Sequence, residues 1–80
     1  MPKAFVLINV ESGTEEEALK DLRAIQGVTE SFTSYGVYDI IAKVEASSMD
    51  ALKDLITLRI RNISKVRSTL TLILAEEHLS

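Results

Sequence analysis

The sequence predicts an α+β plait, a four-stranded antiparallel sheet with two helices on one of its faces. Three observations predict it. Stretches of period-two hydrophobicity and stretches of helical periodicity follow one another in the order β-α-β-β-α-β. The pentapeptide ALKDL occurs twice, at residues 18–22 and 51–55, each time early in a helical stretch that follows an extended one. The whole pattern closes within 80 residues, the size of one small domain.

The first strand covers residues 4–10 (AFVLINV), which are rich in β-branched and aromatic side chains and mostly apolar in both alternating sets. Such a strand belongs at the centre of a sheet. Ser12 and Gly13 punctuate the chain, and Thr14-Glu15-Glu16-Glu17 has the Thr-x-x-Glu spacing of a reciprocal capping box. The helix that starts there carries its glutamates at the positive end of the helix dipole, and Ala18, Leu22 and Ile25, with Leu19, form its buried stripe. Gly27 stands where a helix C-terminus accepts a residue of positive φ.

From Val28 the period returns to two, with Val28, Glu30, Phe32 and Ser34 against the more polar set Thr29, Ser31, Thr33 and Tyr35. Past a turn at Gly36, Tyr38, Ile40, Ala42 and Val44 read as core, and Val37, Asp39, Ile41, Lys43 and Glu45 as the opposite face. Ser47 or Ser48 caps a second helix, which buries Leu52, Leu55, Ile56 and Ile60 and carries Arg59 and Arg61 near its negative end. A last strand over residues 65–75 puts Val66, Leu70, Leu72 and Leu74 toward the core and Arg67, Thr69, Thr71 and Ile73 on the reverse. Residues 76–80 read as a frayed tail. This order of elements is the split β-α-β of the ferredoxin-like plait.

Charge and composition narrow the function classes. Nine basic against twelve acidic residues give a formal net charge of −3, the wrong sign for a chain that grips phosphate backbones unaided. No apolar run approaches the ~20 residues that span a bilayer, and no signal-peptide pattern opens the chain, so a cytoplasmic protein without a membrane role is expected. There is no cysteine, and the single histidine, His78, lies in the expected tail, so no nucleophile and base can be assembled. The chain reads as no enzyme, without catalytic residues or cofactor. Glu76 and Glu77 beside His78 read as solvated charge rather than as metal ligands.

Two helices cover only one face of the sheet. The other is expected to carry Phe5, Leu7, Asn9, Thr29, Ser31, Thr33, Val37, Asp39, Ile41, Lys43, Thr69, Thr71 and Ile73. That mixture is too apolar for a free surface and too polar for a dry interior, which predicts a second copy packed on it with room for water or a ligand. A core this small, without a disulfide, also gains from self-association. Asp39 is the acidic residue set within an otherwise apolar strand, and a carboxylate there needs a partner. The partner is the ammonium group of a small zwitterion, whose own carboxylate takes N–H donors around Gly36, or Arg67 or Lys43, or backbone amides of the turn.

The run Tyr35-Gly36-Val37-Tyr38-Asp39-Ile40-Ile41-Ala42-Lys43-Val44 resembles the Gly-x-aromatic-Asp segment of the effector-sensing, or RAM, domain of the Lrp/AsnC transcriptional regulators. The resemblance extends over essentially the whole chain, residues 1–80, as a single domain without the helix-turn-helix that precedes it in full-length members. It implies a homodimer formed through the sheet faces as an α/β barrel, dimers joined into an octamer or decamer, and an amino-acid effector held between dimers. It also implies association with full-length regulators. Tyr35, Gly36, Tyr38 and Asp39 match motif positions that line or shape that site, and Thr69 and Thr71 fall where the family has further effector-site residues. Tyr35 departs from the pattern, since many members have Ser or Thr there, and its ring narrows the expected pocket. The competing reading, from a different class, is a small dimeric α+β-barrel enzyme with a cavity between the sheet faces and Asp39 or a tyrosine as acid and base.

Overall fold

The computed structural model describes residues 1–74. Its elements are β1 (Lys3–Val10), α1 (Glu15–Arg23), β2 (Val28–Thr33), β3 (Ile40–Glu45), α2 (Met49–Asp54), which runs on as a π-helical segment (Leu55–Ile60), and β4 (Val66–Ile73). The strands form one antiparallel sheet in the order β2-β3-β1-β4, so β1 and β3 are central and β2 and β4 are the edges. This is the ferredoxin-like plait that the element order predicts. The expected tail, with Glu76, Glu77 and His78, lies outside the described residues.

The core lies between the sheet and the helices. Ala4, Val6, Ile8 and Val10 of β1 and Ile40, Ala42 and Val44 of β3 meet Ala18, Leu22 and Ile25 from the α1 side and Leu52, Ile56 and Ile60 from the α2 side, all of them buried. The two ALKDL copies present different faces to it. Ala18 and Leu22 are buried in the first, whereas in the second Leu52 is buried and Ala51 and Leu55 are half-buried.

Two helix starts behave differently. Ser48 is extended (φ −146°, ψ 165°) and its side chain accepts the Ala51 N–H at 3.1 Å, a working N-cap. Thr14 makes no such bond, and the capping box does not form. Its hydroxyl donates to the Glu11 carbonyl at 2.6 Å, inside the turn that also returns the Thr14 N–H to that carbonyl. The C-terminal side of α1 also differs from expectation. The helix closes at Ala24 in the right-handed region, and Gly27 lies further on, in the turn into β2 with φ 105°. Its carbonyl accepts the Glu45 N–H at 2.8 Å, and a Cβ there would run into the Leu55 side chain.

The largest departures are two changes of strand phase. Val28 pairs with Val44 as expected, but the register then shifts, so that Glu30, Ser31 and Phe32 oppose Lys43, Ala42 and Ile41. Residues directly opposite in an antiparallel pair share a face. Ser31 therefore turns inward with Ala42 and is buried, where it receives the Arg23 Nε donor at 3.1 Å, and Thr33 lies opposite the buried Ile40. Phe32 turns outward. The same happens in β4: Val66 pairs with Val10, the register shifts past Arg67, and Thr69, Thr71 and Ile73 oppose Ile8, Val6 and Ala4 on the helix face. Leu70 and Leu72, expected in the core, lie opposite Leu7 and Phe5 on the open face. A bulge adds one residue to one strand, and with a side-chain period of two everything beyond it changes face.

The open face is therefore more apolar than the alternation suggests. Phe32, Ile41, Leu7 and Leu70 form a row across all four strands, with Lys43, Phe5 and Leu72 in the next. Phe32, Leu70 and Leu72 keep 54%, 45% and 48% of their surface in contact with solvent, unlike the buried helix-side residues of β1 and β3.

Candidate functional site

The connection from β2 to β3, residues 34–39, projects from the end of the two strands. The Ser34 N–H donates to the Asp39 carbonyl at 2.7 Å and closes its base, while the Asp39 N–H donates to the Ile8 carbonyl at 3.0 Å and ties it to β1. Within this frame Gly36 has φ 125°, a conformation that a side chain would strain, with open space where a Cβ would stand. Tyr35 is fully exposed and Val37 nearly so, whereas Tyr38 and Asp39 are half-buried at the base.

The partner of Asp39 is a backbone amide. Its Oδ2 accepts the Val10 N–H at 2.9 Å, at the C-terminal end of β1. Neither side chain considered from the sequence reaches it: Lys43 approaches Glu30 at 3.9 Å, and Arg67 is exposed at the β4 bulge. Val10 supplies main chain, which side-chain patterning has no means of pointing to. One carboxylate oxygen is thus committed to the fold, and the other has no donor among the described residues.

Around it lies a set of unused donors. The N–H groups of residues 35–38 make no hydrogen bond among the described residues. A carboxylate oxygen at the base of a loop, with free amides above it, can hold the two ends of a zwitterion. Tyr35, Gly36, Tyr38 and Asp39 are brought together in this way. Thr69 and Thr71 are not, because they lie on the edge strand β4 and on the helix face, opposite Ile8 and Val6, whereas Asp39 follows the other phase of β3. The loop stands out into solvent, so a ligand enclosed there needs a second surface above it. Among the described residues there is no cluster of His, Cys, Asp and Glu suited to a metal ion, and no helix is long and apolar enough to cross a membrane.

The fold and the sequence together place the chain in a class of ligand-binding domains. A model of the Lrp/AsnC ligand binding domain matches residues 3–80, and the chain belongs to this family. Over 59 residues it is 37% identical to the regulatory protein AsnC of Escherichia coli strain K12, covering 74% of this chain but 39% of that protein. The chain thus spans well under half the length of the curated relative it matches. The crystal structure of FFRP-DM1 superposes with a TM-score of 0.90 at 36% identity, over 94% of this chain and 100% of that one.

Proposed function

We propose that this chain binds a small α-amino acid at the loop of residues 34–39 and acts as a self-associating effector sensor. The ammonium group sits on the free oxygen of Asp39, and the carboxylate takes the N–H groups around Gly36. The single observation that carries this reading is the half-committed Asp39 beside unused backbone donors. Family membership supports the class of function, and a regulator that shares the fold was solved with an amino acid bound. The regulator NMB0573 of Neisseria meningitidis, solved as an L-Met complex, superposes with a TM-score of 0.83 at 15% identity.

Two copies pair through their open sheet faces, covering the Phe32–Ile41–Leu7–Leu70 row, and pairs join further into an octamer or decamer. The exposed position of the loop favours an effector held between copies. It disfavours the enzyme reading, which needs Asp39 inside a sealed cavity. Through such an assembly the chain modulates full-length regulators of its family, in the cytoplasm where they act.

Calorimetric titration with the twenty amino acids tests the proposal. At least one binds the wild type with saturable heat, and Asp39→Ala weakens it about tenfold or more, the worth of a charge-assisted hydrogen bond. Absence of binding by all twenty would sink it.

A further inference from the structure

Strand β1 is apolar from Ala4 to Val10 except at Asn9. The strand is central, and asparagine is ill suited to that setting because its amide needs partners that the backbone ladder does not supply. Asn9 shares the phase of Phe5 and Leu7 and pairs with Ser68, which is in phase with Leu70 and Leu72, so it stands on the open face. There it is half-buried, and its Nδ2 donates to the Ser68 Oγ at 3.5 Å, the outer limit of a hydrogen bond. Its Oδ1 accepts no hydrogen bond among the described residues.

Asp39 is the neighbour of Asn9 on the other side. Its N–H donates to the Ile8 carbonyl and its Oδ2 accepts the Val10 N–H, so its two bonds bracket Asn9. Both ladders of β1 also break at this point. The pairing with β3 ends at Ile8 and Ile40, and the pairing with β4 shifts register between Asn9 and Val10. Irregularities of this kind re-aim side chains and are common beside functional sites.

We propose, on the reading of the loop as an amino-acid site, that Asn9 is a second acceptor for the ammonium group of the effector. A primary ammonium carries three N–H donors and no acceptor. The free oxygen of Asp39 takes one of them, the amide oxygen of Asn9 takes another, and water takes the third. Because the amide nitrogen is turned to Ser68, neighbouring Asn9 and Asp39 each keep an unused acceptor oxygen, an arrangement that calls for a donor between them. The two acceptors differ in kind. Asp39 supplies charge and Asn9 a neutral dipole, so a cation is held without two like charges side by side. The site therefore selects effectors whose nitrogen keeps at least two N–H groups.

N,N-dimethylation tests this, because it keeps the positive charge and leaves one N–H for two acceptors. The twenty amino acids are titrated by calorimetry, and each that binds is titrated again as its N,N-dimethyl derivative. Wild type is expected to bind the dimethyl form about tenfold or more weaker. Asn9→Leu has nearly the shape of asparagine but no acceptor. It is expected to weaken the unmodified amino acid about tenfold and to remove most of the further loss on dimethylation. Its urea midpoint is expected to equal or exceed that of wild type, since it continues the apolar set of Phe5 and Leu7, a combination that a purely structural asparagine would not give. Asn9→Ala is read in the same way where Asn9→Leu does not fold, and failure of both to fold would assign Asn9 to the fold and overturn the proposal. Unchanged binding by Asn9→Leu, a dimethylation loss as large in it as in wild type, or dimethyl forms that bind neither protein would overturn it as well. So would a change in the mass of the assembly without a change in binding, which would assign Asn9 to the pairing of copies. Each of these outcomes leaves the loop standing as the effector site, whereas absence of binding by all twenty amino acids would remove both readings together.

Discussion

Asp39 has two carboxylate oxygens and, within the described chain, one donor, the Val10 N–H. Its structural part and its proposed ligand-binding part can therefore be separated by substitution. Asn in its place still accepts the Val10 N–H through its amide oxygen but carries no charge for an ammonium group. Asp39→Asn is expected to lower stability by less than about 1 kcal/mol in urea unfolding while weakening amino-acid binding about tenfold, whereas Asp39→Ala weakens binding at least as much and costs about 1–3 kcal/mol of stability. Equal binding by Asp39→Asn and wild type would show that the charge has no part. Gly27 is the second residue at which one side chain decides much. Its φ of 105° and the Leu55 side chain at its Cβ position predict that Gly27→Ala destabilises by about 2–4 kcal/mol, read from the urea midpoint.

At the scale of elements, β1, β3 and the two helices were legible because their periodicity is uninterrupted and one face is apolar throughout. Ala18, Leu22 and Ile25, and Leu52, Ile56 and Ile60, follow helical spacing and are buried as that spacing predicts. The edge strands were legible in extent but not in phase. Val28 and Val66 point inward as their patterns begin, and the bulges that follow leave no composition signal, since Thr29 and Arg67 are ordinary strand-edge residues. The leucines at 70 and 72 misled for a physical reason. They are apolar because of the face they line, and one chain cannot tell a helix-covered face from one covered by something else. Leu70→Lys is expected to weaken pairing of two copies by about 3 kcal/mol or more, seen in light scattering as a shift to single chains, with no loss of helix content. If Leu70 belonged to the core of one chain, the same substitution would unfold it instead. The capping residues separate in the same way. Ser48→Ala removes the bond to Ala51 and costs about 1 kcal/mol, whereas Thr14→Ala removes only a turn bond outside the helix and costs less by chemical denaturation.

For the whole molecule, the small enclosed core and the broad apolar open face belong to one design. A chain of 80 residues buries a modest share of its surface alone, and the proposed pairing, by covering Phe32, Leu7, Ile41 and Leu70, would add to the core what one copy lacks. In the proposed assembly another copy closes over the loop of residues 34–39, and on that proposal assembly and effector binding are linked. A ligand that prefers the assembled form must stabilise the assembly by its difference in affinity. The effector identified by calorimetry is therefore expected to raise the sedimentation coefficient of a dilute sample, and Asp39→Asn to respond only at about tenfold higher effector concentration.

The most direct test of the central claim is a crystal structure of the assembly grown with mixed amino acids. A zwitterion is expected between copies at the loop, its ammonium nitrogen within hydrogen-bond reach of Asp39 and its carboxylate on the N–H groups of residues 35–38. A ligand sealed between the two sheet faces, with the loop empty, would contradict it.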